Sequence, residues 1–200
     1  MSEPTPRREE TQRRLVAAAI NEFARCGIDG TSVEQLCDAA GFSRGAFYSN
    51  FSSKDELCVA ILESIRERIS TNFTQSIYEV SPDTDLDWIA TQGLLRYFEI
   101  VAPDEAHRRT LAELGQRALR TPELEQATAE VAAQIREILV GALGQLSERL
   151  DFTWLLPPRE LTEVMEAVFL NQGVPSLTPN QRSMELMTAL IKAVAVPNNS

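Results

Sequence analysis

Apolar residues recur at helical spacing along almost the whole chain. Leu15, Val16, Ala19, Ile20 and Phe23 trace one helix face, and Gly27 follows as a stop. Val33, Leu36, Cys37 and Ala40 form a shorter stripe that ends at Gly41. Leu57, Ile61, Ile65, Ile69 and Phe73 draw a long helix over residues 54–80. Further on, Pro82, Pro103, Pro122, Pro158 and Pro179 each stand where a helix can begin, because the first turn needs no amide donor. Thr121 and Thr178 precede two of them as N-cap candidates. Helical patterning follows Pro122 for about 29 residues, then occupies 158–172 up to Gly173, and finally 179–195. There is no convincing alternating run and no internal repeat, so the pattern predicts an all-α protein of about nine helices.

Local chemistry sharpens the reading of the first part. Ser32 with Gln35 and Ser53 with Glu56 both fit a capping box. Between them, Gly41 breaks the chain and Ser43 can cap the next helix. A helix over 32–40, a tight turn at Gly41-Phe42 and a helix over 43–51 together make a helix-turn-helix. In the second of these helices, Phe47 and Phe51 lie about 40° apart and form the inward face. Gly45, Ala46 and Ser49 lie roughly opposite, with Arg44 and Tyr48 on one flank and Asn50 on the other. That outer face is nearly free of bulk and edged by hydrogen-bonding groups, which is the shape a helix needs in the major groove. Such geometry is also common in helical proteins as a purely structural device.

Reach suggests a role for each group. Arg44 can fork onto a guanine edge. Tyr48 and Asn50 are placed for phosphate oxygens, as are Lys54 at the start of the long helix and Thr31 just before the second. Ser32, Ser43 and Ser49 complete the candidate DNA-binding set.

The net charge of −10 argues against nucleic acid until it is divided. Residues 1–60 hold seven basic and nine acidic side chains, leaving twelve and twenty for the rest. Arg7, Arg8, Arg13 and Arg14 precede the first apolar stripe, so a local basic surface on an acidic protein remains open. Cys26, Cys37 and Cys58 are odd in number and lack a CxxC pair, so a disulfide framework is not expected. With His107 the only histidine, neither a metal site nor a catalytic base is expected, and no cofactor. No apolar run is long enough to span a bilayer, and the polar start MSEPTPRREETQRR does not suit a secretory signal, so a cytoplasmic location is expected.

The stretch AGFSRGAFYSNFSSKDEL resembles the recognition helix and following helix of the tetracycline-repressor (TetR) family of bacterial regulators. The resemblance extends back through TSVEQLCDAAG and more loosely to RRLVAAAINEFARCGIDG, about a quarter of the chain. It implies that Arg44, Gly45 and Ala46 face bases and that Tyr48, Asn50 and Lys54 hold phosphates. Asn50 stands where histidine is frequent in the family, and Ala46 where threonine is frequent.

The resemblance further implies a division into a DNA-binding domain at 1–55 and a ligand-sensing, dimerising helical domain at 56–200. Trp88, Leu95, Phe98, Leu114, Trp154 and Phe169 are the pocket candidates, although aromatics at helical spacing also serve as plain core. Leu161, Val164, Met165, Val168, Met184, Met187 and Ile191 form stripes that suit either intramolecular core or a homodimer interface. The family favours the dimer. The expected partners are therefore palindromic double-stranded DNA, a second copy and a small apolar effector, with no membrane. A ligand-independent DNA-binding or adaptor protein is the alternative. An enzyme is disfavoured because no catalytic set can be assembled.

Overall fold

The computed structural model describes residues 6–170 and 181–198. They fold into α1 (Pro6–Gly30), α2 (Val33–Ala40), α3 (Arg44–Tyr48), α4 (Lys54–Arg68), α5 (Thr74–Tyr78), α6 (Leu86–Val101), α7 (Glu105–Ala118), α8 (Pro122–Leu150), α9 (Pro158–Leu170) and α10 (Gln181–Val194). The fold is all-α in class, as the periodicity requires. The stop expected at Gly173 and the start expected at Thr178-Pro179 lie outside the described residues.

Two compact units form. Within the described residues the first runs to Ser64 and takes in Asp104–Thr128, so it includes α7 as well as the helices before the 55/56 division. The second holds Ile65–Pro103 and the chain from Ala129 onward.

The first unit is built around fully buried Leu15, Ala19, Phe23, Leu36, Phe47 and Leu57. α1 bends at Gly27, whose φ of 73° suits a residue without Cβ, and the chain turns helical again before α2. α2 starts on a reciprocal capping box. Ser32 Oγ accepts from the Gln35 amide at 3.2 Å, and Gln35 Oε1 accepts from the Ser32 amide at 2.8 Å. It ends at Gly41, in the left-handed region. Arg14 reinforces that end from α1, donating to Ala40 O at 2.8 Å with its guanidinium 4.6 Å from the centre of the Phe42 ring.

α7 docks on the same core through one face. Thr110 Oγ1 donates to Ile20 O at 2.7 Å in a buried contact, with Leu111 and Leu114 buried beside it. Arg117 forks onto Asp55 at 2.5 and 3.1 Å and also pairs with Asp29. The α7 cap is Asp104 and the α6 cap is Asp85, so the prolines at 103 and 82 precede the helices without starting them. His107 completes the α7 cap: its amide donates to Asp104 Oδ1 at 2.9 Å and its ring lies 2.7 Å from the same oxygen.

In the second unit, helix continues from α4 through a π turn at Ile69–Phe73 into α5. The sequence carries a reason. Leu57, Ile61, Ile65, Ile69, Phe73 and Ile77 repeat at every fourth residue, and on a 3.6-residue helix each such step drifts about 40°. The wider π turn runs part of that drift back, so Ile69 and Ile77 both stay buried. One core cluster joins Ile77, Ile89, Ala142, Leu146 and Phe152, and another joins Ala90, Leu94, Met187 and Ile191.

The expectation of no strand is corrected. β1 (Phe152–Trp154) pairs antiparallel with β2 (Ala195–Pro197), with Phe152 opposite Pro197 and Trp154 opposite Ala195. Three-residue strands are too short to show an alternating pattern. They are held by contacts distant in sequence, such as the Leu155 amide to Val194 O at 2.7 Å and Thr153 Oγ1 to Asn198 Oδ1 at 2.7 Å.

Candidate nucleic-acid interface

The candidate surface is built outward from Phe47. This ring is fully buried, Phe51 is nearly so, and their centroids lie 5.9 Å apart. α3 proper spans only Arg44–Tyr48, shorter than the predicted 43–51, yet the Phe51 amide still reaches Phe47 O at 2.9 Å. One further turn is therefore retained, and both rings stay on the inward side. With the helix pinned from behind, Arg44, Gly45, Tyr48 and Ser49 are exposed and Ala46 is half-exposed.

Not all of those groups are free to bind. Ser43 caps α3, its Oγ accepting from the Ala46 amide at 3.2 Å. Ser49 donates to Ala46 O at 2.9 Å. Ser32 is exposed, and its oxygen is the acceptor in the α2 capping box, so its own proton remains available to a phosphate. Tyr48 stacks edge-on against Phe47 at 5.3 Å while half of its surface stays open. Arg44 pairs with Glu34 of α2 and lies 6.0 Å from the centre of the Tyr48 ring.

Three phosphate candidates sit differently from the expectation. Thr31 is 1% exposed and donates to Gly27 O at 2.7 Å; it closes the turn after α1 and presents no hydroxyl outward. Asn50 is 9% exposed, and its Nδ2 is tied to Ala46 O at 2.8 Å. Asn50 Oδ1 is buried without a hydrogen bond, but an acceptor has nothing to offer a phosphate oxygen. Lys54 is half-buried, its ammonium donating to Ile28 O at 2.7 Å and Thr31 O at 2.8 Å. Two of its three donors therefore fasten the end of α1 to the start of α4. In the same way, Arg14 caps α2 and Arg13 pairs with Glu10, so the N-terminal arginines are less available than a count suggests.

Sequence reasoning missed Glu34. It sits beside Arg44 and neutralises its charge, and its signal was its place in the first turn of α2 facing the turn before α3.

The pocket candidates do not converge. Leu114 is buried in the first unit, whereas Trp88 and Leu95 are exposed, at 55% and 42%, on α6. Phe98 and Trp154 both pack on the Ala90–Leu94–Met187–Ile191 cluster of the second unit. Trp154 is fixed there by its indole N–H, which donates to Leu143 O at 2.9 Å. The side chain of Phe169 lies outside the described residues. Beside Phe98 stands Tyr97, also edge-on to Phe73, with burial pushing its phenol pKa up.

The dimer stripe is corrected in part. Leu161, Met187 and Ile191 are buried within this one chain, and Met165, Val168 and Met184 pack on the same cluster. Val164 alone of the predicted set points outward, joined on α10 by the exposed Leu186. The stripes were read correctly as apolar faces, but most of their surface is intramolecular core.

Of the thiols, Cys37 and Cys58 are buried and Cys26 is half-buried. Burial first, and Asp55 second, push Cys58 up to about 12. No group of three or more possible metal ligands occurs among the described residues, and no described helix is long and apolar enough to cross a membrane.

Residues 15–61 match the family of bacterial regulatory proteins designated tetR. The HTH-type transcriptional regulator SrpR of Pseudomonas putida is 33% identical over 69 residues, 34% of this chain and 32% of SrpR. The chain thus matches only about a third of that relative's length. Likeness to solved structures runs much further at lower identity. A TetR-family transcriptional regulator from Cytophaga hutchinsonii superposes with a TM-score of 0.69 at 15% identity, covering 98% of this chain and all of its own. FadR of Bacillus subtilis, solved with stearoyl-CoA, gives 0.63 at 18% identity, covering 89% of this chain and 98% of its own. These likenesses are of fold.

Proposed function

We propose, from the match of residues 15–61 to the tetR family of bacterial regulatory proteins, that the chain is a member of that family which binds duplex DNA through α2 and α3 and regulates transcription. The observation that carries this reading is the two-sidedness of α3. Phe47 is fully buried, while Gly45, Ser49, Arg44 and Tyr48 are open to solvent. Glycine and serine at the crown let the backbone approach the groove floor, and Arg44 and Tyr48 supply edge contacts. Ser32 adds a hydroxyl for the phosphate backbone.

The working form is a homodimer on a palindromic operator, with half-sites about one helical turn apart. A second copy meets α9 and α10 through outward residues such as Val164 and Leu186, since Leu161, Met187 and Ile191 are already covered. A small apolar ligand in the second unit, near Phe98 and Trp154, releases the operator by favouring a conformer that fits DNA less well. FadR, a protein of similar fold, was solved with stearoyl-CoA, a ligand that carries a long apolar chain, and this supports the reading. Binding as a repressor follows when the operator overlaps a promoter.

Selection of bound duplexes from a random pool tests the reading. An enriched inverted repeat is the expected result, and a pool that stays random overturns it. Titrating the selected duplex with and without a metabolite extract then separates a ligand sensor from a ligand-independent regulator.

A further inference from the structure

Residues 31–54 contain only two cations, Arg44 and Lys54, against the acids Glu34 and Asp38. Lys54 is committed to two backbone carbonyls. With two of the three Lys54 donors so used, Arg44 is the cation of this stretch with the more donors left, and it does not stand free. Its Nη1 donates to Glu34 Oε1, across the turn from the first residue of α3 to the first turn of α2. Both side chains remain more than half exposed, and the guanidinium is backed by the Tyr48 ring.

Two consequences follow from this arrangement. A guanidinium carries five N–H donors in one plane, and contacts with Glu34 through Nη1 and with the Tyr48 side chain restrain that plane while leaving further N–H groups for another acceptor. The Glu34 carboxylate already holds Arg44, and two anions resist sharing one cation. Any phosphate that takes Arg44 must displace or crowd Glu34, whereas a guanine edge presents neutral acceptors and does not.

Building on the DNA-binding reading above, we infer that Glu34 is the specificity-determining partner of Arg44: it aims the guanidinium at a base edge and denies the same group to phosphates. Glu34 is a positioning residue. It lowers affinity for arbitrary duplex more than for the operator.

The test measures the salt dependence of binding for wild type, Glu34→Gln, Arg44→Ala and the double variant. The probes are the selected operator, the operator with the base pair read by Arg44 exchanged, and an unrelated duplex. Glu34→Gln is expected to raise affinity for the unrelated duplex about fivefold and steepen its log–log salt slope by about 0.9, one added phosphate contact. Operator affinity changes little, so discrimination against the exchanged base pair falls about fivefold. In the Arg44→Ala background the same substitution is expected to leave both quantities unchanged. Equal slopes and equal discrimination for Glu34→Gln and wild type overturn the inference. So does an unchanged effect of Glu34→Gln in the Arg44→Ala background, which would mark generic charge repulsion. Failure of wild type to enrich any duplex overturns the DNA-binding reading itself and is distinguished by that earlier step. Glu34 is exposed and outside the Ser32–Gln35 cap, so the variants keep their fold.

Discussion

Replacing Lys54 by alanine separates two roles that the sequence could not tell apart. As a phosphate ligand, Lys54 would contribute to affinity and nothing to stability. In the structure its ammonium donates to Ile28 O at 2.7 Å and Thr31 O at 2.8 Å. Hydrogen bonds from a charged donor contribute about 1.5–3 kcal/mol each. These two share one ammonium and lie at a half-buried site where water can replace part of what is lost, so Lys54→Ala should cost about 2 kcal/mol rather than the sum. The chain contains three cysteines, and all of them fall within the first unit, which makes thiol labelling a probe of that unit alone. Cys58 is fully buried and reacts only when the unit opens. A loss of about 2 kcal/mol raises the open population about 30-fold, and the native-state labelling rate of Cys58 rises with it. If Lys54→Ala labels at the wild-type rate and only weakens DNA binding, the clamp assignment is wrong.

The other expectations concern separate parts of the same unit. Phe47→Ala removes a fully buried ring and should cost about 3–5 kcal/mol, measured by urea denaturation, with loss of any operator binding. Arg117→Met keeps most of the side-chain volume but breaks the fork onto Asp55, and should speed Cys58 labelling about fivefold, the effect of about 1 kcal/mol. Asp104→Ala should cost about 1 kcal/mol at neutral pH through the lost N-cap. The His107 amide, then its ring, holds the Asp104 carboxyl below the usual range, so that contribution is present above its ordinary pKa and is lost as pH falls through the lowered value. Wild type and variant should therefore converge in acid. With Cys58 pushed up to about 12, its thiol stays protonated across neutral and mildly alkaline pH. Peroxide under native conditions should spare it while it attacks the half-buried Cys26, as mass spectrometry of peptide fragments would show.

Much of the fold was legible because helices declare themselves locally. The four-residue spacing of Phe47 and Phe51, the Ser32–Gln35 box and the stop at Gly41 all concern neighbours within one turn, and each is found as predicted. The Ser53–Glu56 box is found in altered form: Ser53 caps the Glu56 amide at 3.1 Å, but the carboxylate reaches Ser52 N rather than Ser53 N. What escaped depends on distant partners. Nothing near Thr31 or Lys54 announces that one buries its hydroxyl and the other spends its charge on carbonyls 23 and 26 residues away. The stripes of α9 and α10 had the correct period, but a period cannot say whether the covering surface is the same chain or another. Glu34 escaped because a count of cations does not say what each one already holds.

The first unit is discontinuous in sequence, since α7 completes it from residues 104–118. During synthesis, the backbone of α1 at Ile20 waits for Thr110, 90 residues on, and Asp55 waits for Arg117, 62 residues on. A polypeptide cut at Ser64 would carry the whole groove-facing motif and yet leave one flank of its core uncovered. Anyone excising the small N-terminal head for biochemistry should expect a sticky fragment, and should graft the missing helix back rather than trim further.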